Sequence, residues 1–166
     1  MIRLWLWCVL CLFPATLRAE LAPPFAPFAP YVGKTWRGEL TVADRDEPMV
    51  DISTWEMALQ DQAVRIRHTL DDGVYEGETF IVWNKEREML EFFYFTTAGF
   101  YTRGTVKFAG RNFTSYEDVT GSEEGITQVR AEIILEGDDV MHQQAYYLKQ
   151  GEWVKGHSAT YRAISP

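Results

Sequence analysis

Cysteine is nearly missing from this sequence: of 166 residues two are cysteine, Cys8 and Cys11, and both fall in the first nineteen. Beyond Ala19 there is none, which removes disulfides and thiol nucleophiles from everything that follows. Basic residues are also short, 16 against 24 acidic ones for a net charge of −8, and they form no run. A polyanion partner needs a clustered Lys/Arg face, so nucleic acid is excluded as a partner. Long apolar stretches are lacking as well. The run Leu4 to Phe13 has ten residues, about half of what a membrane-spanning helix requires. Catalytic signatures are missing too: there is no phosphate-binding loop and no nucleophile elbow. The glycines of the segment 121–125 lie between strand-like segments, without the following helix that cradles a phosphate. His68, His142 and His157 are the three histidines, and no two stand at metal-ligand spacing.

What is present begins with a targeting segment. Arg3 supplies a short basic start, Leu4 to Phe13 an apolar middle and Leu17-Arg18-Ala19 a small residue at the cut, so residues 1–19 read as a signal peptide, with a membrane-retained N-terminus as the alternative. Removing them takes away two of the 16 basic and none of the 24 acidic residues, giving 14 − 24 = −10 for the product. That product is expected to be secreted or periplasmic, with no stable membrane span after cleavage. Residues 20–31, ELAPPFAPFAPY, are too rich in proline for a regular helix or a central strand. They read as an arm whose Phe25, Phe28 and Tyr31 plug one end of a sheet. The rest, 32–166, fits one domain.

The segment Val74 to Phe108 organises that domain. It is dense in aromatic and β-branched residues and free of proline, with turn residues at Asn84 to Arg87 and Ala98-Gly99, and so predicts an antiparallel meander. In its last strand Phe100, Thr102, Gly104, Val106 and Phe108 share one face. Strand-like segments continue through the chain: Thr35–Val42, Met49–Leu59, Ala63–Leu70, Val74–Trp83, Met89–Thr96, Phe100–Phe108, Asn112–Val119, Ile126–Glu136, Val140–Leu148 and Trp153–Ile164. The connections are short, so each strand pairs antiparallel with the next. Ten such strands in up-and-down order curl and close, which removes exposed edges. The expected class is therefore all-β, a single antiparallel up-and-down β-barrel of about ten strands, with a sandwich as the alternative.

Tyr31-Val32-Gly33-Lys34-Thr35-Trp36-Arg37-Gly38-Glu39, entering the first strand behind an aromatic plug, resembles the glycine-tryptophan signature of lipocalin-like (calycin) barrels, the group that includes fatty-acid-binding and nitrobindin-like barrels. Thr160-Tyr161-Arg162 closes the last strand in a similar way. The segments 75–79 and 95–100 also resemble uncharacterised bacterial secreted proteins of this type. The resemblance implies a barrel in which Arg162 covers Trp36 at the closed end. It also implies a histidine on the final strand as haem ligand in nitrobindin-like barrels. His157 is the histidine on that strand here, although Lys155 and Gly156 place it at the strand's start, near the rim and water.

Barrels of this size can leave interior space for a small ligand. By parity the inward residues include Ile66, His68, Tyr75, Phe92, Tyr94, Phe100, Thr102, Val106, Val129, Ala131 and Ile133; the first eight are the expected ligand-binding set. A mostly apolar lining with a few hydroxyls suits a small apolar molecule, and a solid aromatic core is the alternative. His68 shares a face with Val64, Ile66 and Leu70, as a pocket residue or a hydrogen-bonded core histidine. Glu76 and Glu78 share one face, where paired carboxylates could act as acid and base or simply be solvated. Asn112-Phe113-Thr114 matches a glycosylation acceptor. The sequence therefore predicts a lipocalin-like binding barrel without a required cofactor or metal. Its alternatives are a haem-binding protein and a cavity enzyme such as an isomerase or hydrolase.

Overall fold

The computed structural model describes residues 21–41, 46–120 and 125–164; the signal peptide expected over residues 1–19 lies outside them. Ten strands follow a short 3-10 helix, Pro23–Phe28: β1 (Lys34–Thr41), β2 (Met49–Ala58), β3 (Ala63–Leu70), β4 (Tyr75–Asn84), β5 (Met89–Thr96), β6 (Tyr101–Ala109), β7 (Asn112–Asp118), β8 (Ile126–Glu136), β9 (Val140–Lys149) and β10 (Glu152–Ile164). Each expected strand is present, its ends displaced by no more than one residue. Every strand pairs antiparallel with its neighbours in sequence, and β1 pairs with both β2 and β10, so the sheet is a closed up-and-down barrel. Closure is what leaves no edge strand to be capped or charged.

The proline-rich arm does plug one end. Pro24 and Pro27 hold the φ that a tight 3-10 turn needs, and the turn lowers Phe25, Phe28 and Tyr31 into the barrel, where each is almost fully buried. Phe28 meets Phe108 edge-on with ring centroids 4.8 Å apart, and Tyr31 stacks on Trp55 at 5.3 Å. Burial pushes the Tyr31 phenol up to about 12, and its hydroxyl donates to the Arg111 carbonyl at 2.7 Å. Gly33, at φ 73°, turns the arm into β1, a left-handed conformation that a side chain would strain.

Trp36 is fully buried at this end and its Nε1–H donates to the Tyr31 carbonyl at 3.3 Å. Arg162 does not cover it. Trp36 is opposite Ala163 across the β1–β10 pair, so Ala163 shares its inward face, whereas Arg162, one residue away, is exposed on the outer wall. Lys34 takes the place over the indole, with Nζ 5.2 Å from the ring centroid.

Candidate functional site

Beyond the plug, the barrel interior is not filled. A cavity of about 530 Å³ runs from the aromatic floor to the opposite end. All eight residues expected to bind a ligand line it: Ile66 and His68 on β3, Tyr75 on β4, Phe92 and Tyr94 on β5, Phe100 just ahead of β6, and Thr102 and Val106 on β6. Phe100 stands half-exposed at the mouth. Val129, Ala131 and Ile133 line the β8 side, as their parity predicts. Their inward placement follows from strand parity.

The walls divide into two zones. Trp55, Ile81, Phe92, Val106, Phe113, Ile133 and Met141 are buried and give an apolar floor above the plug. Nearer the mouth a polar collar passes from strand to strand. Asp51 on β2, buried, accepts a hydrogen bond from the Tyr161 hydroxyl at 2.6 Å and lies 3.1 Å from His68 Nδ1. His68 Nε2 lies 2.9 Å from the Tyr94 hydroxyl, which lies 2.7 Å from that of Tyr75. The next strands add Thr102, whose hydroxyl donates to Glu117 on β7. On the far side, the Tyr147 hydroxyl is 2.5 Å from His157 Nδ1, and Gln143 Nε2 is 3.4 Å from its Nε2.

Burial sets the electrostatics of this collar. It holds the Tyr94 phenol far above its usual range, with the nearby Glu117 and Asp51 carboxyls acting in the same direction. Tyr161 is raised by burial and then by Asp51. Both phenols therefore stay protonated and keep a proton to donate. Burial raises the Glu117 carboxyl against the opposing bond from Thr102, and it lowers His157 against the attraction of Asp51.

His157 is not at the rim. β10 begins at Glu152, and a β-bulge between Lys155 and Ser158 sets Gly156 and His157 against the single residue Ala145. His157 shares its face with the buried Ala159 and Tyr161, so it points inward and lines the cavity. His142, by contrast, is half-exposed on the outer wall, with Thr160 and Glu136 as partners. Glu76 is exposed and Glu78 lies 3.6 Å from Arg65, which also bridges Glu56 at 2.5 Å, so this pair belongs to the solvated outer wall. Asn112 gives its side-chain oxygen to the Leu135 N–H at 3.0 Å. Among the described residues no group of three metal-ligating side chains comes together.

Five collar residues escaped the sequence reading: Asp51, Glu117, Gln143, Tyr147 and Tyr161. Asp51 carried a usable signal, since Asp51, Ser53 and Trp55 alternate with Ile52, Thr54 and Glu56, and the tryptophan marks their face as the inner one. The polar character of that inner face is what hid it.

No protein-family model matches the sequence, and no curated protein matches it. Solved structures do. Rv2717c from M. tuberculosis superposes with a TM-score of 0.63 at 11% identity, over 88% of this chain and 100% of that one. The S-type phycobiliprotein lyase CPES from Guillardia theta superposes with a TM-score of 0.55 at 13% identity, over 84% of this chain and 91% of that one. At such identities the likeness is one of fold, and it agrees with the closed ten-strand up-and-down barrel that the strand order shows.

Proposed function

We propose that the protein binds a small, largely apolar molecule inside the barrel. The observation that carries this reading is the cavity of about 530 Å³, closed below by the arm and walled by an apolar floor under a polar collar. Sites of this volume and composition are where drug-sized ligands are bound, with a few polar groups fixing orientation. Native mass spectrometry of protein purified from its own source tests the reading: a retained molecule of stoichiometric abundance supports it. A chain with none, and no saturable Nile red fluorescence in titration, overturns it.

A second reading, haem, has His157 in its favour. The imidazole faces the cavity from β10 and burial keeps it neutral, the form in which a histidine ligates iron. It must first give up Tyr147 or Gln143. Haemin titration beside His157→Ala separates the two readings: a saturable Soret shift lost in the variant supports haem. We also propose export with cleavage at Ala19; intact mass of the exported product, starting near Glu20, supports that, and a product retaining Cys8 and Cys11 overturns it.

A further inference from the structure

We infer that the molecule held in the cavity meets the collar with a cationic, hydrogen-bond-donating head: an amine on an apolar body. The inference rests on the cavity being a binding site, as proposed above. Two carboxyl groups, Asp51 and Glu117, line it, and no lysine or arginine is among the described residues that do. An anionic head would enter a poorly screened space that already holds two acids and no counter-charge. A cation meets the opposite situation, and the net charge of −8 raises its concentration near the chain.

The direction of the hydrogen bonds points the same way. Asp51 accepts, so a neutral His68 carries its proton on Nδ1 and donates it there, which leaves Nε2 as an acceptor. Tyr94 must then donate to Nε2, and Tyr75 must donate to Tyr94. Tyr75 is half-buried at the mouth end of this relay. Its proton is spent, so what its oxygen offers an incoming molecule is lone pairs. Glu117 repeats the pattern. One of its oxygens takes the Thr102 proton and the other has no hydrogen-bond partner among the described residues. Acceptors thus face the cavity at two places in the collar, and a carboxylate or phosphate head would leave both unmet. The raised Glu117 carboxyl fits a site completed by its ligand, since an ammonium beside it favours the ionised form and its uptake releases the proton to solvent.

The test is competition of octylamine, octanol and octanoate against Nile red bound to the whole protein at neutral pH. The expected result is displacement by the amine at a concentration at least about tenfold below that for octanoate, with octanol between. Glu117→Gln should shrink the amine-to-octanol ratio, as should Tyr75→Phe at the mouth, so a folding failure in one leaves the other to decide. Octanoate equal to or better than the amine, or ratios unchanged in both variants, overturns the inference while octanol binding keeps the cavity reading. Failure of Nile red and of all three competitors overturns both.

Discussion

Gly77 is the residue whose replacement most directly tests the geometry of the collar. Its φ is not in the left-handed region, so the backbone accepts alanine, and on chain entropy alone Gly77→Ala should stabilise by about 0.4–1 kcal/mol. The structure demands the opposite sign. A Cβ there would lie 2.4 Å from His68 Nε2, 2.4 Å from Tyr94 Cε2 and 2.7 Å from the Tyr94 oxygen, whereas carbon atoms rest at about 3.5–4.0 Å. Both rings must move, and the bond between them at 2.9 Å breaks with the movement. Overpacking of this kind costs about 1–3 kcal/mol and the lost hydrogen bond about 1 more. After subtracting the entropic gain, a loss of about 2 kcal/mol remains, or roughly a 1 M fall in the urea midpoint. In a Tyr94→Ala background most of the overlap is gone, and the double-mutant cycle should show a coupling of about 1 kcal/mol or more. Equal or greater stability of Gly77→Ala would refute the packing of the imidazole and the phenol over this glycine.

Trp36→Ala should cost about 3–5 kcal/mol in urea unfolding, Arg162→Ala within about 0.5, and the two should add; coupling well above that would restore a contact between them. Burial holds the Glu117 carboxyl above its ordinary 4.5, so the folded chain keeps a proton there that the unfolded chain has released. That stabilisation is complete below pH 4.5 and is lost as pH rises through the folded value; Glu117→Gln should flatten the decline in a pH series of unfolding curves. His157 runs the other way. Its folded value lies below the ordinary 6.5, so stability falls as pH drops below 6.5, and His157→Gln should remove that part of the acid sensitivity.

The fold was legible because its signals are local. Period-2 alternation, short turns and an absence of helical spacing define strands without knowledge of any partner, and antiparallel neighbours with short connections leave few topologies. The plug was legible for a different reason, three aromatics crowded among prolines. The pairing of Trp36 with Arg162 was not, because it came from a family pattern and depended on a facing that only register decides. One residue separates Arg162 from Ala163, and that step carries it from the inner face to the outer wall. His157 failed in the opposite sense. Strand parity gave its face, but the bulge that embeds it has no sequence signature of its own.

The collar escaped because its logic runs across strands. Four glycines in strands each lie under an inward ring: Gly38 under Tyr161, Gly77 beside Tyr94, Gly104 under Phe92 and Gly156 under Tyr147, with a Cβ on any of them 2.4–2.6 Å from the ring. A glycine inside a strand weakens it locally and commonly marks a close approach, so each is a clue that something large is laid across it. Three of the four rings are collar tyrosines that bond to Asp51, His68 or His157. The glycines therefore do more than relieve crowding. By letting these phenols lie flat against the wall they keep the centre of the barrel open and aim the hydroxyls along the wall at their partners. The same rings standing over alanine would project toward the axis, fill the cavity and break the relay. On this argument the cavity is held open by what the wall lacks, at positions that can be paired with their rings only once the register is known.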